Sequence, residues 1–464
     1  MANPELDRPA AVLVAVQLSD VSDVDHAADL AELGRLVHTL GYDVVATVSQ
    51  KRSALAAAAV LGEGKLRELA RLTGGSGVVP SSAPVKKDKA RAKRAAEEET
   101  DDEIEADDSW DASSESAEAP LRKASVVVVD HEISPSQARN LERATGAEVL
   151  DRTGVIVEIF HRHARSREAK LEVEIARLNY VAPRLREAGG GGDRQRGGIG
   201  GKGAGESALE LDRRKIRDRI AELREELESI KRDQDVRRAQ RKDARRVALV
   251  GYTNAGKSSL MRALTASEVL VADKLFATLD TTVRALQPEV KPRVLISDTV
   301  GFIKKLPHDL VASFRSTLDE ALEASLLLYV ADASDPTFRG QLEVTRTVLS
   351  EIGADVVPSR LLLNKVDRLD DEARAALTVE FPDAIQLSAK RPEDVSALRD
   401  TIIAFFEASM IDGELRVPYA KQKLVTEVYE AARVLSEEYD EAGACLKVKA
   451  HPAALARLAR LLER

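Results

Sequence analysis

The chain carries one cysteine, Cys445, in 464 residues. No internal disulfide can form, which removes the disulfide-stapled secreted classes and leaves a cytosolic protein as the expectation. Long apolar runs are missing too. None approaches the ~18–20 residues of a membrane-spanning helix, and the run at residues 326 to 330 suits a buried parallel strand. The first residues show no charged region followed by an apolar core, so no signal peptide is expected. A hydrophobic content of 44% is that of a soluble globular protein, and the length allows three or four domains. The net charge of −9 looks unfavourable for a nucleic-acid partner, but six basic and thirteen acidic residues between 83 and 118 supply −7 of it. The remainder is near neutral and locally very basic.

Residues 251 to 258 read Gly251, Tyr252, Thr253, Asn254, Ala255, Gly256, Lys257, Ser258. They follow an apolar run and precede a helical pattern, the strand–loop–helix setting that a phosphate-binding loop requires. Its backbone N–H groups converge at a helix N-terminus. Lys257 is expected to reach the β- and γ-phosphates of a nucleotide, and Ser258 to ligate Mg²⁺. Asp298, Thr299, Val300 and Gly301 follow another strand-like run. There Asp298 would hold Mg²⁺ through water, and the Gly301 N–H would meet the γ-phosphate. Asn364, Lys365, Val366 and Asp367 lie at a third strand end, with Ser388, Ala389 and Lys390 beyond. The two oxygens of Asp367 can accept from N1–H and the exocyclic amine of guanine, donors that adenine does not offer in that geometry. Paired polar recognition of this kind discriminates strongly. The motifs together predict binding and hydrolysis of GTP, with GTP/GDP and Mg²⁺ as ligands. Many GTPases place a glutamine directly after Gly301 to orient the attacking water. Phe302 stands there instead, so hydrolysis is expected to be slow until a partner orders the site. For the switch threonine, Thr278, Thr281 and Thr282 all remain open on the residues alone.

The predicted fold class is α/β: a P-loop GTPase domain, an N-terminal parallel α/β domain, an antiparallel helical hairpin linker and a small α+β C-terminal module. Residues 1–160 alternate strand and helix patterns, interrupted at about 74–122 by a charged, Gly/Ser/Ala-rich insert expected to be disordered. Residues 161–243 carry two amphipathic stretches with coiled-coil spacing, expected as helices ~30 Å long. Between them lies a glycine-rich tip, 189–205, bearing Arg194, Arg196 and Lys202. A slender cationic tip suits a narrow anionic cleft, which makes these residues RNA-binding candidates. The GTPase domain spans 244–408. The C-terminal module, 409–464, reads as a strand, a helix from 421 to 435, a strand and a last helix from Pro452.

This arrangement resembles the HflX family, ribosome-associated GTPases of the Obg-like group. The resemblance rests on residues 134–142, 151–156, 197–200 with 203–206, 251–258 and 275–280, and covers nearly the whole chain apart from the insert. It implies that Thr278, within Phe276, Ala277, Thr278, Leu279 and Asp280, is the Mg²⁺-binding switch threonine. The apolar Phe302 also matches the group. The resemblance further implies binding to the large (50S) ribosomal subunit and its RNA, GTP-dependent splitting or rescue of stalled or idle ribosomes, ribosome-stimulated hydrolysis, and a monomer off the ribosome. Ala204 and Thr281 stand where the family pattern commonly has proline. A different reading is an ATP-dependent RNA-remodelling factor with a second nucleotide site in the N-terminal domain, hinted at by Gly62, Glu63, Gly64 and Lys65.

Overall fold

A computed structural model describes residues 8–79, 122–188, 208–239, 245–266, 275–276, 281–305 and 320–463. Arg194, Arg196, Lys202, nearly all of the insert and residues 277–280 lie outside them. The chain divides into two compact units, Met1–Ile156 and Val157–Arg464.

The first unit holds a four-stranded parallel sheet, ordered β2-β1-β3-β4. Its strands are β1 (Ala10–Gln17), β2 (Asp43–Lys51), β3 (Val126–Val129) and β4 (Glu148–Asp151). Every residue of β1 and β3 is buried, as expected of strands covered on both faces. Helices α1 (Asp23–Thr39), α2 (Glu63–Thr73) and α3 (Pro135–Thr145) connect them. Ser134 and Gln137 close the N-terminus of α3 as a reciprocal capping box. A buried arginine is paired here: Arg152 donates to Asp130 at 2.7 Å and pairs with Glu32. Losing either carboxylate would strand a buried charge. Gly62 N–H donates to Gln50 and Lys65 pairs with Glu68, so the stretch suggestive of a second nucleotide site serves as a helix start.

Helix α4 (Arg152–His163) carries the chain into the second unit. There α5 (Arg167–Ala188) and α6 (Ala208–Ala239) form the hairpin. Arg167 pairs with Glu226 and Arg219 with Glu174, so seven steps forward in α5 match seven steps back in α6: the helices are antiparallel. Leu171, Ile175, Ile220 and Leu223 form the buried seam. At 1.5 Å per residue the helices measure about 33 and 48 Å, correcting the expectation of two equal ones. The second runs on past the apolar seam through its arginine-rich end, whose residues have high helix propensity.

A six-stranded sheet follows, ordered β10-β9-β8-β5-β7-β6. Its strands are β5 (Arg245–Gly251), β6 (Thr282–Ala285), β7 (Val294–Asp298), β8 (Leu326–Asp332), β9 (Ser359–Asn364) and β10 (Ile385–Gln386), parallel except β6. Helices α7 (Lys257–Thr265), α8 (Phe338–Glu351), α9 (Asp371–Glu380) and α10 (Pro392–Glu407) accompany it. Strand β5 lies in the middle, its Val247, Ala248, Leu249 and Val250 wholly buried. Ligands of such sheets bind at the carboxyl ends of the strands.

The C-terminal part is an antiparallel sheet, β11 (Ile411–Pro418), β13 (Gly443–Ala450) and β12 (Arg433–Asp440), with α11 (Leu424–Ala431) and α12 (Pro452–Glu463). The expected helix over 421–435 is corrected: it stops at Ala431, and residues from Arg433 form a strand. A turn enforces this, with Asp440 accepting from Ala442 N–H at 2.8 Å and Gly443 N–H at 3.0 Å. Pairing across β13 then overrides the helix propensity of Leu435, Glu437 and Glu438.

Candidate functional site

The phosphate loop leaves the end of β5 and enters α7 through Gly256, whose φ of +97° is left-handed. A Cβ at Gly256 would sit 2.2 Å from Asn364 Nδ2. Only glycine fits, because Asn364 packs directly on the loop. Lys257 is buried, and its ammonium donates to the carbonyls of Tyr252 at 2.9 Å and Gly251 at 3.1 Å. Burial brings its pKa down to about 8, against the opposing pull of Asp298. Ser258 Oγ donates to Asp298 Oδ2 at 2.7 Å, and Asp298 is fully buried at the end of β7.

The turn after β7 leans on the same loop. Thr253 N–H donates to the Phe302 carbonyl at 2.8 Å, and Phe302 N–H to the Gly251 carbonyl at 3.1 Å. Lys304 N–H donates to the Tyr252 hydroxyl at 2.6 Å. A Cβ on Gly301 would meet Thr253 Cα at 2.8 Å and Lys257 Nζ at 2.9 Å. The loop, the lysine and the Asp298–Gly301 turn therefore converge on one point. The Phe302 side chain is buried and offers no polar atom.

The stretches 364–367 and 388–390 are equally tied in. Asn364 Nδ2 donates to the Ala255 carbonyl at 2.8 Å, while its Oδ1 accepts Ala389 N–H at 3.2 Å. Lys365 Nζ reaches the Asn254 carbonyl and Asp332 Oδ2, both at 2.7 Å. Ser388 Oγ donates to Asp367 Oδ1 at 2.7 Å, and Lys390 Nζ lies 3.6 Å from Oδ2. The Ser388 hydroxyl, aided by Lys390, holds the Asp367 carboxyl below the ordinary carboxylate range. Asp367 stays ionised, an acceptor on both oxygens. Sequence reasoning missed Asp332; its signal was an acid at the end of β8, in register with Asn364.

Of residues 275–280, Leu275 and Phe276 are described. Phe276 is buried, its ring edge-on to Phe160 at 4.6 Å and its carbonyl 3.0 Å from His163 Nδ1. Thr282 opens β6, paired with Asp298 across the sheet. Ala277, Thr278, Leu279 and Asp280 lie outside the described residues, as do Arg194, Arg196 and Lys202.

Three family models match: a GTP-binding GTPase N-terminal region over 27–79 and 112–161, a GTP-binding GTPase middle region over 163–241, and a 50S ribosome-binding GTPase over 246–365. A GTPase HflX of Gluconacetobacter diazotrophicus is 67% identical over 460 residues, covering 98% of each chain. The chain belongs to the HflX family of GTPases. The HflX of Escherichia coli is 42% identical, covering 69% of this chain and 76% of its own. A GTP-binding protein of Sulfolobus solfataricus, solved with GDP, aligns over 85% of this chain and 98% of that one, at 23% identity and a TM-score of 0.41. As an HflX GTPase the protein binds guanine nucleotide and hydrolyses GTP to GDP and phosphate. Among the described residues no helix is long and apolar enough to cross a membrane.

Proposed function

We propose that the protein couples GTP turnover to the large ribosomal subunit, splitting or rescuing stalled or idle ribosomes. The observation that carries this is the match of its nucleotide domain to a 50S ribosome-binding GTPase family. The long antiparallel hairpin, joined through the sequence that holds Arg194, Arg196 and Lys202, supplies a cationic reach of the kind that RNA phosphates favour.

In this reading residues 251–258 cradle the phosphates and Lys257 meets the β- and γ-phosphates, held by the two carbonyls it already touches. Ser258 and Asp298 offer adjacent hydroxyl and carboxylate oxygens, the hard donors Mg²⁺ takes. Thr278 would complete the set, and the ion would neutralise charge on the β- and γ-phosphates. Water attacks the γ-phosphorus, its bond to the bridging oxygen breaks, and GDP leaves. The Gly301 N–H steadies the γ-phosphoryl oxygens. Asp367 reads the guanine edge, and Ala389 and Lys390 approach its O6. Phe302 cannot orient the water, so the subunit accelerates hydrolysis by ordering the switch segments.

Co-sedimentation of the full chain with purified large subunits tests the partner. Arg194→Glu, Arg196→Glu and Lys202→Glu together should abolish pelleting while GDP affinity holds. Undiminished pelleting would overturn the role given to the tip.

A further inference from the structure

Five threonines are buried among the described residues: Thr145, Thr253, Thr265, Thr299 and Thr345. Four give their hydroxyl proton to a backbone carbonyl, those of Leu141, Met261, Leu249 and Gln341, at 2.7–2.9 Å. Thr253 differs. It is 7% exposed, and its Oγ1 has no hydrogen-bond partner. A buried hydroxyl left unpaired costs free energy that a well-packed loop ordinarily avoids.

The position of this residue says what the partner is. Thr253 lies within the phosphate loop, and its backbone N–H is already committed to the Phe302 carbonyl. A Cβ on Gly301 would lie 3.0 Å from Thr253 Cγ2 and 2.9 Å from Lys257 Nζ. The Thr253 methyl, the lysine ammonium and the Gly301 backbone thus pack closely together within the loop. In the reading above, the terminal phosphate binds beside this cluster. The base motif, by contrast, meets the loop at Ala255 and Asn254.

We infer that the Thr253 hydroxyl donates a hydrogen bond to a γ-phosphoryl oxygen of GTP. This makes Thr253 a catalytic residue supplied by the loop itself, in a site whose Phe302 gives no polar help. GDP has no γ-phosphoryl group, so the contact separates the two nucleotides. The inference rests on the assignment of residues 251–258 as the phosphate cradle.

The test uses the full-length chain with Thr253→Val, which keeps the branched shape, and Thr253→Ser, which keeps the hydroxyl. Lys257→Ala is the reference for the cradle. Thr253→Val should lower kcat/KM for GTP about tenfold, the loss of one charge-assisted hydrogen bond, and leave the Kd for GDP within about twofold. Thr253→Ser should retain most of the wild-type rate. Wild-type turnover by Thr253→Val, beside an inactive Lys257→Ala, would overturn the threonine assignment alone. Equal damage from Val and Ser, or a parallel loss of GDP affinity, would reduce Thr253 to packing and also overturn it. Full activity in Lys257→Ala would overturn the cradle and the inference together.

Discussion

Gly256→Ala joins backbone, packing and ligand binding in one substitution. Its φ of +97° is left-handed, and a new Cβ would lie 2.2 Å from Asn364 Nδ2. The left-handed conformation costs an alanine about 1–2 kcal/mol, and forcing an atom into a packed site costs about 1–3 kcal/mol more. Together the loss is roughly 2–5 kcal/mol, or about 5–15 °C in the melting transition of a domain this size. Asn364 would have to withdraw, breaking its bonds to Ala255 and Ala389. GDP binding should therefore weaken by about tenfold or more. Gly353→Ala is the control, since Gly353 has a φ of +80° in the same unit and nothing within 4 Å of its Cβ position. It should lose only the conformational share and bind GDP normally. Differential scanning fluorimetry and fluorescent-GDP titration read both quantities. If Gly256→Ala melts with Gly353→Ala and binds GDP like the wild type, the packing of the base motif on the loop is refuted.

Asp367→Asn replaces an acceptor pair with one acceptor and one donor, which suits xanthine better than guanine. GTP turnover should fall roughly a hundredfold or more while xanthosine triphosphate becomes a substrate; a retained guanine preference in competition binding would contradict the role of Asp367. Binding should also depend on pH through Lys257, which burial holds at about 8 in the free protein. Phosphate oxygens raise the pKa in the complex above that of the free form. Affinity is then full below about pH 8 and falls as pH rises toward the pKa of the complex, by up to ~tenfold per unit. Calorimetry at pH 8 in two buffers of different ionisation enthalpy should register proton uptake on GDP binding, and none would be seen if the lysine were already fully charged.

The candidate site was legible because its chemistry is local. Each motif sits at the end of an apolar run, and the sheet brings those ends to one edge. The links between motifs were not legible. Asn364 holding Ala255 and Ala389, Asp332 holding Lys365, and Phe302 pairing with Gly251 and Thr253 all join residues far apart in sequence. Strand β12 was hidden for a related reason. Leu435, Glu437 and Glu438 have helical propensity, and only the partner strand and the Asp440–Gly443 turn make them extended. The hairpin seam was visible in its apolar spacing, whereas the length of α6 followed from polar residues that carry no periodic signal.

The most direct test of the account is GTP turnover by the full-length chain with and without purified large ribosomal subunits, across a series of salt concentrations. The account predicts slow turnover alone, strong stimulation by subunits, and loss of that stimulation as salt rises and phosphate contacts weaken. Turnover that ignores the subunits at every salt concentration would contradict it.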